Sequence, residues 1–247
     1  MSVRLFDADA IKFLKKFSDN TVDVIITSPP YNLKNRGGDF KMDTYHDKVE
    51  NNTYLNNQVD FLNECYRVLK PLGAMFYNHK NAYEKGQLKT PWEQVLKSKF
   101  KVNSEIIWNR LSCVDNNRAR FSPISEKIFW LYKNETYKLK QAATNFKEIW
   151  EIKRPTPAQN LGHKATFPPA LIDRILLSLD ASFAFSTIID PYCGTGTVGQ
   201  VAQYYNFQEI YLNDINLDPL QIDEKYQQNF ERETLPIIKK SYKERNK

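Results

Sequence analysis

The chain has 247 residues, which suits one large α/β domain, or one domain carrying a small insertion, with room for a sizeable core. Hydrophobic residues at 41% and aromatic residues at 13% exclude a disordered chain. No stretch approaches the ~18 to 20 apolar residues that a membrane-spanning helix needs. Thirty-five Lys and Arg against 29 Asp and Glu give a formal charge of +6, which favours a polyanionic partner. Cys65, Cys113 and Cys193 lie far apart, with no spacing that suits zinc or a disulfide framework, so a reducing, cytoplasmic setting and no metal are expected. The amino terminus has no basic segment followed by an apolar run, and export and membrane attachment are not expected.

Apolar residues at helical spacing (Ile11, Phe13, Leu14, Phe17) predict a helix over 9–17, and Asp19-Asn20 separates it from a buried strand over 22–26. The strand runs into Ser28-Pro29-Pro30, where two prolines remove two backbone donors and stop any central strand, leaving a loop at its carboxyl end. Residues 32–52 are polar, contain Gly37-Gly38 and have no period, which reads as a lid or substrate-contacting loop. Leu55, Val59, Leu62, Tyr66 and Leu69 mark a helix over 54–69, and Pro71-Leu72-Gly73 turns the chain into a strand over 74–77. Strands over 102–108 and 127–132 flank a basic loop with Arg110, Arg118 and Arg120. Residues 133–161 lose clear period and mix Lys138, Lys140, Lys147, Lys153 and Arg154 with Tyr137, Phe146 and Trp150. This segment is expected to be a short target-recognition insertion in a single domain spanning 1–247.

The last third alternates again: helix 168–179, strand 187–189, a glycine loop, helix 198–205, strand 209–213 and helix 217–230, followed by a charged tail. That alternation implies a doubly wound sheet with helices on both faces.

In the glycine loop an apolar strand runs into Asp190 and then Gly194-x-Gly196 before a helix. Glycines let backbone approach a ligand closely, and a helix amino terminus favours negative or polar groups. Asp214, at the end of the next strand, can accept hydrogen bonds from the hydroxyls of a ribose. The same residues also suit a tight strand-to-helix turn with a solvated Asp. Ser28-Pro29-Pro30-Tyr31 carries a different chemistry. An aromatic amine is a poor nucleophile because its lone pair is delocalised into the ring, and hydrogen-bond acceptors aimed at its protons draw that pair back onto nitrogen. The Ser28 hydroxyl and the Pro29 carbonyl can accept both protons, the prolines fix the backbone, and Tyr31 offers a face for base stacking. Alone, Pro-Pro-Tyr equally suits a rigid turn or a proline-rich ligand.

Taken together, Thr27-Ser28-Pro29-Pro30-Tyr31-Asn32 and Asp190-Pro191-Tyr192-Cys193-Gly194-Thr195-Gly196-Thr197 resemble the amino-methyltransferases that modify DNA bases on an exocyclic nitrogen. The resemblance is to the permuted (beta) group, in which the catalytic motif precedes the cofactor motif. It covers most of the chain and extends to the segment around Asp9, Arg67-Val68-Leu69-Lys70-Pro71, Ile107-Trp108-Asn109-Arg110 and Gly162-His163-Lys164-Ala165-Thr166-Phe167-Pro168. It implies a Rossmann-like sheet with circularly permuted motif order and S-adenosylmethionine as cofactor. By the same resemblance His163, Thr166, Phe167, Asp190, Tyr192, Gly194, Gly196 and Thr197 would seat the donor, Asp9 would contact the adenine or ribose surroundings, and Asp214 the ribose hydroxyls. Tyr192 stands where Phe is more usual, Leu72 where Gly is, and Lys164 where Pro is.

The implied reaction is base flipping followed by direct transfer from the sulfonium to the amino nitrogen, on double-stranded DNA. The chain contains no Pro-Cys pair, which argues against the cysteine chemistry of carbon-5 cytosine methylation. Ser at the head of the tetrapeptide leans towards cytosine-N4 rather than adenine-N6. Lys34, Arg36, Lys41, Arg110, Arg118 and Arg120 are the expected phosphate contacts. The resemblance leaves open a cognate restriction endonuclease and a homodimer as further partners. An RNA methyltransferase and a catalytically idle DNA-binding relative are the rival classes.

Overall fold

The computed structural model describes residues 1–32, 49–84, 86–112, 120–134, 139, 143–154, 166–179, 187–205 and 207–215. The expected helix over 217–230 and charged tail lie outside them. Their framework is an eight-stranded sheet ordered β1-β10-β9-β2-β3-β7-β6-β8. The strands are β1 (Ser2–Asp7), β2 (Val22–Thr27), β3 (Leu69–His79), β6 (Lys101–Asn109), β7 (Ser125–Tyr132), β8 (Ile149–Glu151), β9 (Thr187–Asp190) and β10 (Glu209–Asp214). β4 (Ala82–Glu84) and β5 (Gln87–Lys89) form a separate antiparallel ribbon. The pairs β1·β10, β10·β9, β9·β2 and β2·β3 are parallel, β7 runs antiparallel to β3 and to β6, and β8 is parallel to β6.

β2 shows why the sheet must be covered on both faces. Val24 and Ile26 pack into one buried cluster with α4 (Pro169–Ser178) and α5 (Thr197–Ala202), while Ile25 packs into another with α1 (Ala10–Leu14), α2 (Asn51–Val68) and α3 (Trp92–Lys97). Alternate residues of a strand face opposite sides, so an uninterrupted apolar run specifies a doubly covered strand. The Rossmann-like, doubly wound arrangement follows.

The local signals agree with this. Asp9 caps α1, its Oδ1 accepting from the N–H groups of Ile11 and Lys12 at 3.1 Å each. Pro169 occupies the first turn of α4, where its missing N–H costs nothing.

Two expectations are corrected. Pro71-Leu72-Gly73 does not precede the strand but lies inside β3: Val22 pairs with Leu69 while Val24 pairs with Ala74, so the extra residues bulge out of the ladder. Gly73 is required there, since a Cβ would stand 2.6 Å from the Leu69 side chain and 3.0 Å from the Asp23 carbonyl. The segment 133–161 is not wholly an insertion either. Within it, β8 extends the main sheet, and Ala143, Trp150 and Ile152 are buried. Trp150 joins the core cluster of α4 and α5.

The chain crosses from β9 through α5 to β10 on one side, and from β2 through α2 to β3 on the other. The strand order therefore reverses between β9 and β2, and a crevice outside their carboxyl ends is where open α/β sheets take ligands.

Candidate active site

Both loops singled out in the sequence leave the sheet at this reversal. Ser28-Pro29-Pro30-Tyr31 follows β2, and the Asp190 loop ends β9, its hydrogen-bonded neighbour.

The proline loop is anchored by polar side chains from strands on its other side. The Ser28 hydroxyl lies 2.6 Å from the Tyr31 hydroxyl and 3.1 Å from Asn78 Oδ1. Tyr31 Oη is 2.6 Å from Asn78 Oδ1 and 3.1 Å from Glu126 Oε2. Asn78 is fixed by its own amide, which donates to the Lys127 carbonyl at 3.1 Å. Glu126 Oε1 accepts from Arg110 at 3.1 Å, and the rest of that guanidinium donates to the carbonyls of Ile124, at 3.2 Å, and Pro123. Burial and the Glu126 charge push the Tyr31 phenol well above its ordinary value, so it stays a proton donor.

A second chain of bonds sets the backbone. The Tyr54 hydroxyl donates to the Pro30 carbonyl at 2.8 Å, so its oxygen accepts from His79 Nε2 at 2.6 Å. His79 Nδ1 then accepts the Lys80 N–H at 2.8 Å. Burial lowers the His79 pKa to about 4, which leaves a neutral imidazole with the Nε2–H tautomer. Its ring lies 4.7 Å from that of Tyr31. Asn32, which closes the loop, has a left-handed φ of 52° and exchanges two hydrogen bonds with Val49, at 2.9 and 3.0 Å.

The glycine loop is built by close backbone turns. Gly194 and Gly196 have φ of 50° and 76°, and a Cβ on Gly194 would meet open space. Asp214 Oδ2 accepts the Gly194 N–H at 2.7 Å, and Asn213 ties the loop to Ala8 and Pro191 through their carbonyls, at 3.0 Å each. The buried Asp190 carboxylate accepts the Tyr192 N–H at 3.1 Å. Burial raises its pKa to about 7, with the Asp214 charge adding to the effect. The Thr166 hydroxyl, three residues ahead of α4 in the chain, is buried without a hydrogen-bond partner. An open glycine turn, two carboxylates at strand ends and an orphaned hydroxyl fit a cationic ligand that carries a ribose.

The N6/N4 methyltransferase family model, described as DNA methylase, matches residues 22–212. The chain belongs to this DNA amino-methyltransferase family. S-adenosylmethionine is the methyl donor in the family. The type II methyltransferase M.HpaI of Haemophilus parainfluenzae is 30% identical over 248 residues, covering 90% of this chain and 73% of that protein. The PvuII DNA methyltransferase, cytosine-N4-specific, shares the fold at a TM-score of 0.70 and 18% identity, covering 94% of both chains. TTHA0409 of Thermus thermophilus, a DNA modification methylase by assignment, was solved with S-adenosyl-L-methionine. It matches at a TM-score of 0.64 and 21% identity over 94% of this chain and 96% of that one.

Within this methylase the expected site residues other than Arg110 and Arg120 divide into three groups. Ser28, Pro29, Pro30, Tyr31, Asp190, Tyr192, Gly194, Gly196, Thr197 and Asp214 lie on the two loops at the strand-order reversal or on the strand end beside them. Thr166 and Phe167 precede α4, with Phe167 packing 6.4 Å from Trp108; Asp9 caps α1. His163, Lys34, Arg36, Lys41 and Arg118 lie outside the described residues.

Arg110 is the correction. It is 1% exposed and paired with Glu126, so it braces the site from beneath and is not a surface phosphate contact. Arg120 lies over the Tyr83 ring at 4.6 Å. Sequence reasoning missed Asn78, His79, Tyr54 and Glu126. Asn78 and His79 end an apolar strand just as Thr27 and Ser28 do, a signal that could have found them.

Proposed function

We propose that this chain methylates the exocyclic amino nitrogen of a base flipped out of double-stranded DNA, with cytosine-N4 the target. The observation that carries the reading is that the Ser-Pro-Pro-Tyr loop and the Asp190 glycine loop leave adjacent parallel strands at the point where strand order reverses. The motif order is then the permuted one. Ser28 is the target-side acceptor: its proton goes to Asn78 Oδ1, which leaves a lone pair on Oγ for the amino group. The Pro30 carbonyl is already engaged by Tyr54, so the Pro29 carbonyl serves as the second acceptor. With both amino protons held, the nitrogen lone pair is directed outward, and orientation of this kind supplies on the order of 7 to 11 kcal/mol.

S-adenosylmethionine supplies an electrophilic methyl when bound. Asp190, Tyr192, Gly194, Gly196 and Thr197 would hold it, with Thr166 and Phe167 towards its other end, Asp9 towards the adenine and Asp214 towards the ribose; His163 is assigned to the same donor. The methylated amine loses its extra proton to water, and no covalent enzyme intermediate forms. Cytosine is favoured by Ser at position 28 and by the cytosine-N4 specificity of the PvuII enzyme with the same fold. Adenine-N6 is the second reading, since both bases present the same two amino protons to these acceptors. The type II relatives favour a companion restriction endonuclease.

Mass spectrometry of nucleosides from unmethylated duplex DNA incubated with protein and donor tests this, with RNA alongside. N4-methylated deoxycytidine is expected. N6-methylated deoxyadenosine would keep the mechanism and reverse the base, and a mark only in RNA would overturn the substrate.

A further inference from the structure

Three exposed large apolar residues lie where β6 and β7 open towards the carboxyl edge of the sheet. Phe121 is 98% exposed and Leu111 52%, and Ile124 beside them is also exposed. A large aromatic side chain left in water forgoes the free energy that its burial would give. This one does not sit on a loose strand end. Arg110 donates its N–H to the Ile124 carbonyl at 2.9 Å, and its guanidinium holds the carbonyls of Ile124 and Pro123. Through Glu126 the same arginine is joined to Tyr31 of the proline loop. Leu111 is held with φ of 65°, a left-handed conformation rare for Leu, its N–H donating to Asn109 Oδ1 at 3.0 Å. Arg120, next to Phe121, lies over Tyr83 of the β4·β5 ribbon. An unburied aromatic thus stands two residues before a braced pair, Pro123 and Ile124, which Arg110 and Glu126 join to the proline loop, and it follows an arginine in sequence.

We infer that Phe121 is a wedge that enters the DNA duplex and fills the gap left by the flipped base, with Arg120 beside it for the phosphate. Apolar side chains inserted between base steps partly unstack them and make extrusion cheaper. The net positive charge of the chain and the neighbouring arginine suit a duplex better than an apolar protein surface. The inference rests on duplex DNA being the substrate. It adds a flipping residue distinct from those that hold the donor or the amino group.

The target sequence is first read by sequencing the methylated product of mixed-sequence DNA. Wild type, Phe121→Ala and Phe121→Trp are then compared on two duplexes of that sequence, one fully paired and one with the target base opposite an abasic site. A wedge is needed only where the base must be pulled from a pair. Phe121→Ala is therefore expected to lose at least about tenfold in kcat/KM on the paired duplex and less than about threefold on the abasic one, with Phe121→Trp near wild type on both. Equal loss on the two duplexes, or no loss, would overturn the wedge. So would a Phe121→Ala protein that fails to fold, because the side chain would then support the fold. Wild type inert on every DNA would instead bring down the reading of duplex DNA as substrate, and the wedge with it.

Discussion

Asp190 is a buried carboxyl whose pKa burial raises from an ordinary 3.8 to about 7. Between those values the folded protein keeps a proton that the unfolded chain gives up, so stability falls as pH rises through that window. Above it, the folded state carries the full cost of the buried charge, on the order of 4 kcal/mol. Asp190→Asn removes the titrating group. Its melting temperature is expected to exceed wild type at pH 8 by a margin that shrinks steadily as pH falls from 7 towards 4, measured by thermal unfolding across that range; the same pH slope in both proteins would contradict the assignment. The role proposed for Asp190 also predicts that wild-type affinity for the cationic donor tightens through the same window. Single residues were legible in the sequence where their chemistry was local: Ser28, Pro29, Gly194 and Gly196 form contiguous motifs. Asn78 and Glu126 were not, because they reach Ser28 and Tyr31 from 50 and 95 residues away and only strand register brings them in. Arg110 was misread for the same reason, since a sequence shows its charge but not the carboxylate opposite it.

The elements that sequence periodicity found are buried on two faces or carry one clear apolar stripe, among them α1, β2, α2, β6, β7, α4, β9, α5 and β10. β1 escaped notice because it is an edge strand with mostly exposed or half-buried residues, whose apolar content is too low to read as a run. β8 escaped because it is three residues long; its position comes from pairing with β6, not from propensity. Trp150 is what makes that short strand structural. It is buried, its indole N–H donates to the Lys147 carbonyl at 2.7 Å, and Arg174 lies over its ring at 5.5 Å. Trp150→Ala is expected to cost about 3 to 5 kcal/mol in denaturant unfolding. A loss below about 1 kcal/mol would show that 149–151 is dispensable to the sheet and restore the insertion reading.

At the scale of the whole molecule, the order in which the chain writes its strands matters less than where the sheet puts them. Residues 28 and 190 are far apart in sequence, yet β2 and β9 are hydrogen-bonded neighbours. The alternation of helix and strand made the doubly wound class legible, whereas the strand order, and hence the adjacency of the two loops, is a tertiary fact. The formal charge of +6 predicts salt-sensitive DNA binding. Affinity for a mixed-sequence duplex is expected to fall by about tenfold or more between 50 and 200 mM salt, the loss for two or more neutralised phosphates; a flat salt response would contradict phosphate contact. The most direct test of the account separates its two loops. Single-turnover methyl transfer to duplex DNA by Ser28→Ala, with donor affinity measured calorimetrically on the same protein, is expected to show a rate lower by about a hundredfold or more with donor Kd changed less than about threefold. An unchanged rate, or a rate lost only because the donor no longer binds, would contradict the assignment of Ser28 to the amino group.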